Sequence, residues 1–192
     1  MSTRVKLRLI AAIAAAAVPM VATAPALATK ELNGVFHIGS GSYIRMGLPN
    51  GKGFFANPYS KDANKTYTLI ASGAGGGIRT GVTQNAPSPA FDANGNSRAN
   101  SIIAPTNFTG ILFGIVTTVP PSFYLSGDKI TGYIRHLYAQ WNKQTFFQGN
   151  IVYGTYNSRT HNYVVSWHTE VHGGPFDGYV GYWRLQGTFS PY

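Results

Sequence analysis

The amino-acid sequence predicts an all-β fold: a single antiparallel β-barrel or β-sandwich of about eight or nine strands, following a cleaved signal peptide. Two observations predict the strands. After residue 29 the chain is dominated by Gly, Asn, Thr, Ser, Tyr and Phe, a composition that disfavours helix. Short apolar or alternating runs are also punctuated by turn signals such as Pro49-Asn50-Gly51, Gly149-Asn150 and Gly173-Gly174-Pro175. A third observation predicts the leader. Arg4, Lys6 and Arg8 precede an apolar run from Leu9 to about Val21, and Ala26-Leu27-Ala28 offers small residues where a signal peptidase reads.

Residues 1–28 are therefore expected to be a secretory signal and residues 29–192 a single β-rich domain. The apolar run is short for a membrane anchor and lacks a basic stop-transfer flank, so no membrane span is expected in the mature chain. The three basic residues of the leader depart with it, leaving twelve Lys/Arg against six Asp/Glu out of an overall net charge of +9. The remaining positive charges are scattered and form no phosphate-tracking stripe, which argues against nucleic acid as a partner. They fit mild attraction to acidic polysaccharide or cell-surface material. Cysteine is absent, so disulfides and thiolate metal sites are excluded and stability must come from apolar burial and a hydrogen-bonded sheet.

Strands are expected at 33–39, 42–48, 66–72, 77–83, 110–118, 130–141, 145–155, 162–172 and 179–189. The stretch 84–107, with Pro87, Pro89, Pro105 and five asparagines, reads as a long surface loop between two halves. Segment 130–141 is ambiguous. Ile130, Ile134, Leu137, Tyr138 and Trp141 recur at helical spacing, but Thr131, Gly132 and the β-branched and aromatic content favour strand. A helix there would make the fold α+β. In the strand ending at Val171, Tyr163, Val165, Trp167 and Val171 share one face, and Ser166, His168, Glu170 and His172 the other.

Two histidines flanking a glutamate suggest metal binding or acid–base chemistry. Residues of one strand face lie about 6.6 Å apart, so His168 and His172 are about 13 Å apart and cannot easily share one ion. His168 with Glu170, or Glu170 with His172, could chelate an ion if another strand adds a ligand. Paired carboxylates for glycoside hydrolysis could come only from Glu170 and Asp177, the other four acids being in turns or termini. No Gly-x-Ser-x-Gly elbow is present, Gly73–Gly81 lacks the Lys-Ser/Thr of a phosphate loop, and no cofactor is expected. Asp92, Asn94 and Asn96 alternate like the start of a calcium loop, but Ile103 stands where the bidentate Glu belongs. Trp141, Trp167 and Trp183 are either core residues or a stacking platform for a sugar or a small apolar ligand.

The block QWNKQTFFQG, followed by GTYNSRTHNYVVSWHTEVHGGPFDGYVGYWRLQGTF, resembles the C-terminal part of a group of uncharacterised secreted bacterial proteins. In that group W-N, G-T-Y, G-G-P-F and G-x-W-x-L-x-G-T recur in the same order. The resemblance covers about the last 50 residues and implies class and location, extracellular or periplasmic, without a chemistry.

Together these features favour a secreted, non-enzymatic surface or matrix component, or a binding module for a glycan or other ligand. Two alternatives stand beside it: a small hydrolase or metal-dependent enzyme on the His168, Glu170 and His172 face, and a carrier with a barrel cavity. When the full chain is expressed in a secreting host, N-terminal sequencing of the exported protein should begin at Thr29. A product retaining Met1–Ala28 would overturn the leader assignment.

Overall fold

The computed structural model describes residues 29–192; the expected signal, residues 1–28, lies outside the described residues. In chain order the strands are β1 (Lys30–Glu31), β2 (Gly34–Ile38), β3 (Tyr43–Gly47), β4 (Tyr67–Leu69), β5 (Ile78–Arg79), β6 (Thr106–Phe108), β7 (Ile111–Thr117), β8 (Ser122–Ser126), β9 (Lys129–Tyr133), β10 (Leu137–Trp141), β11 (Gln144–Phe147), β12 (Ile151–Tyr156), β13 (Asn162–Glu170) and β14 (Val180–Pro191). A single 3-10 turn at Gly174–Phe176 is the only helical element among the described residues. None of these residues forms a helix long and apolar enough to cross a membrane.

The expected all-β fold is what the structure has, and every strand pair is antiparallel. The strand count is higher than eight or nine for two reasons. Segments 130–141 and 145–155 each break into two strands, at Ile134–His136 and at Gln148–Asn150. Three short strands, β1, β6 and β8, arise in stretches that offered little periodicity. The α+β alternative is overturned: 130–141 holds β9 and β10, joined by a tight link in which Leu137 N–H donates to Ile134 O at 3.1 Å. Ile130, Ile134, Leu137 and Trp141 all reach the core because the chain passes from the large sheet to the second sheet between the two strands.

Ten strands form one strongly curled sheet, in the order β1-β8-β9-β12-β13-β14-β2-β5, with β3 and β4 branching from β14. The branch follows from the length of β14. Its first half, Val180–Arg184, pairs β3, and its second half, Gly187–Pro191, pairs β2. Between them the chain bulges over Gly39–Ser42, where Ser42 Oγ both donates to Gln186 O and accepts from Gln186 N–H at 3.0 Å. The second sheet, β11-β10-β7-β6, covers the open side of this half-barrel. Two positions without a side chain let the large sheet curl. A Cβ at Gly154 would collide with the Val164 carbonyl, and one at Gly132 with the Phe123 ring.

One apolar core fills the space between the sheets, from Phe36, Phe123 and Phe189 at one end to Phe113, Trp141 and Phe146 at the other. The indoles of Trp167 and Trp183, directly opposed on β13 and β14, stack with centroids 5.6 Å apart and planes 4° from parallel. The 84–107 stretch is irregular, as expected, but it is pinned rather than peripheral. Ala99, Ile102 and Ile103 are buried, and Asn96 Oδ1 and Gln84 O accept backbone N–H groups of β7. Asp92 accepts the backbone N–H groups of Asn94 and Asn96 on Oδ1 and the Asn96 amide on Oδ2. The Asn96 side-chain bond leads in holding its carboxyl below the usual range.

Burial alternates along β13 as the sequence predicts: Trp167 is inside, with Tyr163 and Val165, and His168 is outside with Ser166 and Glu170. Trp167→Ala should therefore cost about 3–5 kcal/mol and His168→Ala well under about 1 kcal/mol, measured by denaturant unfolding; the reverse ranking would overturn the facing of this strand. A second expectation concerns Tyr163, whose hydroxyl donates to His37 O at 3.1 Å and whose pKa is pushed well up by burial. The unfolded chain loses the phenol proton near pH 10 while the fold retains it. This residue's contribution is intact below about pH 10 and is lost as the pH rises beyond it. Tyr163→Phe should flatten the alkaline fall in stability, and an unchanged slope would assign that fall to other groups.

Candidate functional site

The outer face of the curled sheet is where polar and aromatic side chains meet. Because side chains alternate across a strand, burying Trp167 and Trp183 places their neighbours His168 and Tyr182 outside. These two are themselves a directly opposed pair, with ring centroids 5.6 Å apart. Tyr182 is in turn opposite Arg45, which is opposite Tyr67. The Arg45 guanidinium lies 3.2 Å from the Phe54 ring centroid and 4.4 Å from that of Tyr67, and donates to Tyr67 Oη at 3.0 Å. A parallel row two residues along runs Tyr124, Thr131, Tyr153, Ser166, Arg184 and Tyr43 across six strands.

At one end of these rows the surface is concave. Arg135, Phe147, Asn150, His168, Glu170 and Tyr182 line an open groove of about 770 Å3. Phe147 and Tyr182 are 44% and 42% exposed, a large apolar area to leave in water. The Asn150 amide donates to His168 O at 2.8 Å, and its Oδ1 accepts from Ile151 N–H at 2.8 Å, which fixes its orientation on the floor. Thr169 Oγ1 lies 3.1 Å from Gly149 O, tying the same turn to β13. The only ion pair among the described residues joins Lys129 to Asp128 at 3.4 Å, so neither Arg135 nor Glu170 belongs to one. The groove thus offers a cationic donor, an anionic acceptor, an imidazole and two aromatic rings.

The structure divides the residues singled out in the sequence. His168 and Glu170 line the groove together, while His172 and Asp177 lie on the exposed turn beyond it. Asp177 Oδ1 accepts from Gly173 N–H at 2.6 Å and closes that turn. No group of three or more His, Cys, Asp or Glu side chains comes together among the described residues. Trp141, Trp167 and Trp183 are core residues, 8%, 7% and 2% exposed, and offer no free face for stacking. Their N–H groups are satisfied internally, Trp141 by Phe108 O at 2.8 Å, and Trp167 and Trp183 by Gln148 O and Oε1 at 2.9 and 3.0 Å. The exposed rings within strands are Tyr133, Phe147, Tyr153 and Tyr182. Parity was the signal that could have found them, since each neighbours a core position in its strand.

No protein-family model, curated protein or solved structure matches this chain. The chemistry of the groove is what its function must be read from. Glu170 is the one carboxylate that lines it, and the apolar pocket between the two sheets measures only about 50 Å3.

Proposed function

We propose that this protein is a secreted, non-enzymatic binding module for extracellular glycan, with the ligand seated in the groove between Phe147 and Tyr182. One observation carries the reading: two exposed aromatic rings line the same open groove as an arginine, an asparagine, a histidine and a glutamate. A sugar has an apolar face of C–H groups and an edge of hydroxyls. Phe147 and Tyr182 supply stacking surfaces for the first. Arg135 and Asn150 as donors, and Glu170 as acceptor, match the second. The outward row through Tyr153 and Tyr43 extends polar and aromatic surface beyond the groove, as suits a polymer longer than one sugar. The net positive charge adds general attraction to acidic polysaccharide or an anionic cell surface.

The hydrolase alternative lacks comparable support. Cleavage of a glycosidic bond ordinarily uses two carboxylates about 5–9.5 Å apart across the scissile bond, and Asp177, the intended partner of Glu170, is bound into its own turn. The carrier alternative needs an interior site, and the cavity is far smaller than the several hundred cubic ångströms of ordinary ligand pockets.

The test is a screen of soluble and insoluble polysaccharides, neutral and acidic, by affinity electrophoresis and pull-down. Tyr182→Ala and Phe147→Ala should each weaken binding about tenfold, the loss of one stacking contact, and leave the thermal midpoint nearly unchanged. A protein that retains no glycan, or variants that bind as tightly as wild type, would overturn the reading. Release of reducing sugar that Glu170→Gln abolishes would establish the hydrolase instead.

A further inference from the structure

We propose that the outer face selects acidic polysaccharide, with Arg45 and Arg184 as seats for the carboxylate or sulfate groups of sugars that follow the one stacked on Tyr182. The inference rests on the glycan reading of the groove and names the class of glycan. Tyr182 borders both places: on one side it is opposite His168 of the groove, and on the other it is opposite Arg45. Arg184 lies two residues further along β14, so it is the diagonal neighbour of Arg45 across the β14–β3 pair, about 7–8 Å away at the backbone. A polymer that leaves the groove over Tyr182 therefore meets both guanidinium groups.

Both arginines are held in place, and each keeps a donor free. The Arg45 guanidinium packs on Phe54 and Tyr67, and its Nη1 donates to Tyr67 Oη at 3.0 Å. Its Nε–H is buried without a partner, while its Nη2 bonds to nothing among the described residues and stays open to solvent. Arg184 donates through Nε and Nη2 to Gln186 Oε1 at 3.3 and 3.1 Å, which leaves Nη1 free in the same way. Gln186 is fixed in turn by its own amide, which donates to Ser40 O at 2.7 Å. A mobile surface arginine gives up rotamer entropy when it grips an anion, and these two have already given up much of it. Planar donors held this way suit the oxygens of a carboxylate or sulfate.

No carboxylate offsets the two charges. The only ion pair among the described residues, Lys129 with Asp128, involves neither arginine. Glu170, the acid of β13, stands opposite Val180 and not beside Arg184. The outward positions of β13 that do face this part of β14, Ser166 and His168, bring a hydroxyl and an imidazole rather than a negative charge. A partly desolvated cation without a counter-charge is costly, and an anion at its open edge offsets that cost. The net charge of the chain attracts any polyanion from a distance. Two fixed guanidinium groups beside an aromatic groove distinguish an acidic sugar from a bare polyanion, because ring stacking and charge must be met together.

Affinity electrophoresis at about 150 mM salt, where long-range attraction is largely screened, compares polygalacturonate with its carboxyl-reduced form, and dextran sulfate with dextran. At least one acidic polymer should be held about tenfold more tightly than its neutral counterpart, the worth of one charge-assisted contact, and whichever it is names the anion. Arg45→Gln and Arg184→Gln should each remove about that factor and leave the binding of neutral glycan as it was. Arg159→Gln, the same change of charge on the exposed β12–β13 turn, should do neither. Arg184→Gln, which breaks no ring stack, carries the test should Arg45→Gln lower the thermal midpoint. Equal retention of acidic and neutral polymers, with Tyr182→Ala weakening both, would overturn this inference and leave the glycan groove standing. No retention of either acidic polymer would overturn it as well, and the groove is then judged on neutral glycans alone. A loss in Arg159→Gln as large as in Arg184→Gln would reduce the preference to bulk charge and also overturn it.

Discussion

The stacked indoles of Trp167 and Trp183 bury their two N–H groups in the core between the sheets, and leaving either unpaired would cost about 1–3 kcal/mol. Both end on Gln148, that of Trp167 on its backbone oxygen and that of Trp183 on its side chain. Gln148 stands where the chain leaves the small sheet at β11 and enters the large one at β12. Its own N–H donates to Leu137 O of β10 at 2.9 Å. One buried residue thus joins both sheets, and the stacked tryptophans can occupy the interior only while it stays in place. A hydrogen bond buried in an apolar surround tolerates little displacement, so the relative position of the sheets is set there.

The outer surface inherits its arrangement from the same residue. With Gln148 pointing in, Phe147 must point out and Asn150 falls on the turn that forms the groove floor. With Trp167 and Trp183 pointing in, His168 and Tyr182 must point out opposite one another. The groove is the outer imprint of an internal packing decision, with the indole stack directly behind two of its residues. A ligand bound there as proposed would cost such a surface little entropy.

The strands with clean alternation were legible in the sequence. Tyr163–Val171 could be assigned residue by residue because the apolar and polar positions follow a period of two without interruption. Segment 130–141 was harder, because two strands joined by a three-residue link place Ile130, Ile134, Leu137 and Trp141 at intervals that imitate one face of a helix. β1 and β6, at two and three residues, carry no periodicity at all, and β8 sits between Pro120-Pro121 and a Gly turn that hide it. In the site, His168 and Glu170 were visible as outward residues of a known strand. Phe147 and Tyr182 were not, since an aromatic residue is read as core until the parity of its strand is fixed, and Arg135 and Asn150 depended on where the strands break. The tryptophans were the opposite case: a residue type associated with sugar stacking proved to be what the sheets are built around.

The fork in the large sheet governs the order in which the molecule can assemble. β14 is the shared partner of β13, β2 and β3, so the strands nearest the start of the domain have their long neighbour near its end. His37 and Ser190, joined across that seam at 3.0 Å, are 153 positions apart in the chain. While the polypeptide is being made, β2 and β3 have no long strand beside them until residue 191 has emerged. Such distant pairings carry a large loop-closure entropy and fold slowly. The second sheet and β8-β9-β12-β13 can pair beforehand, but the seams of β2 and β3 with the long strand stay open until that last strand arrives.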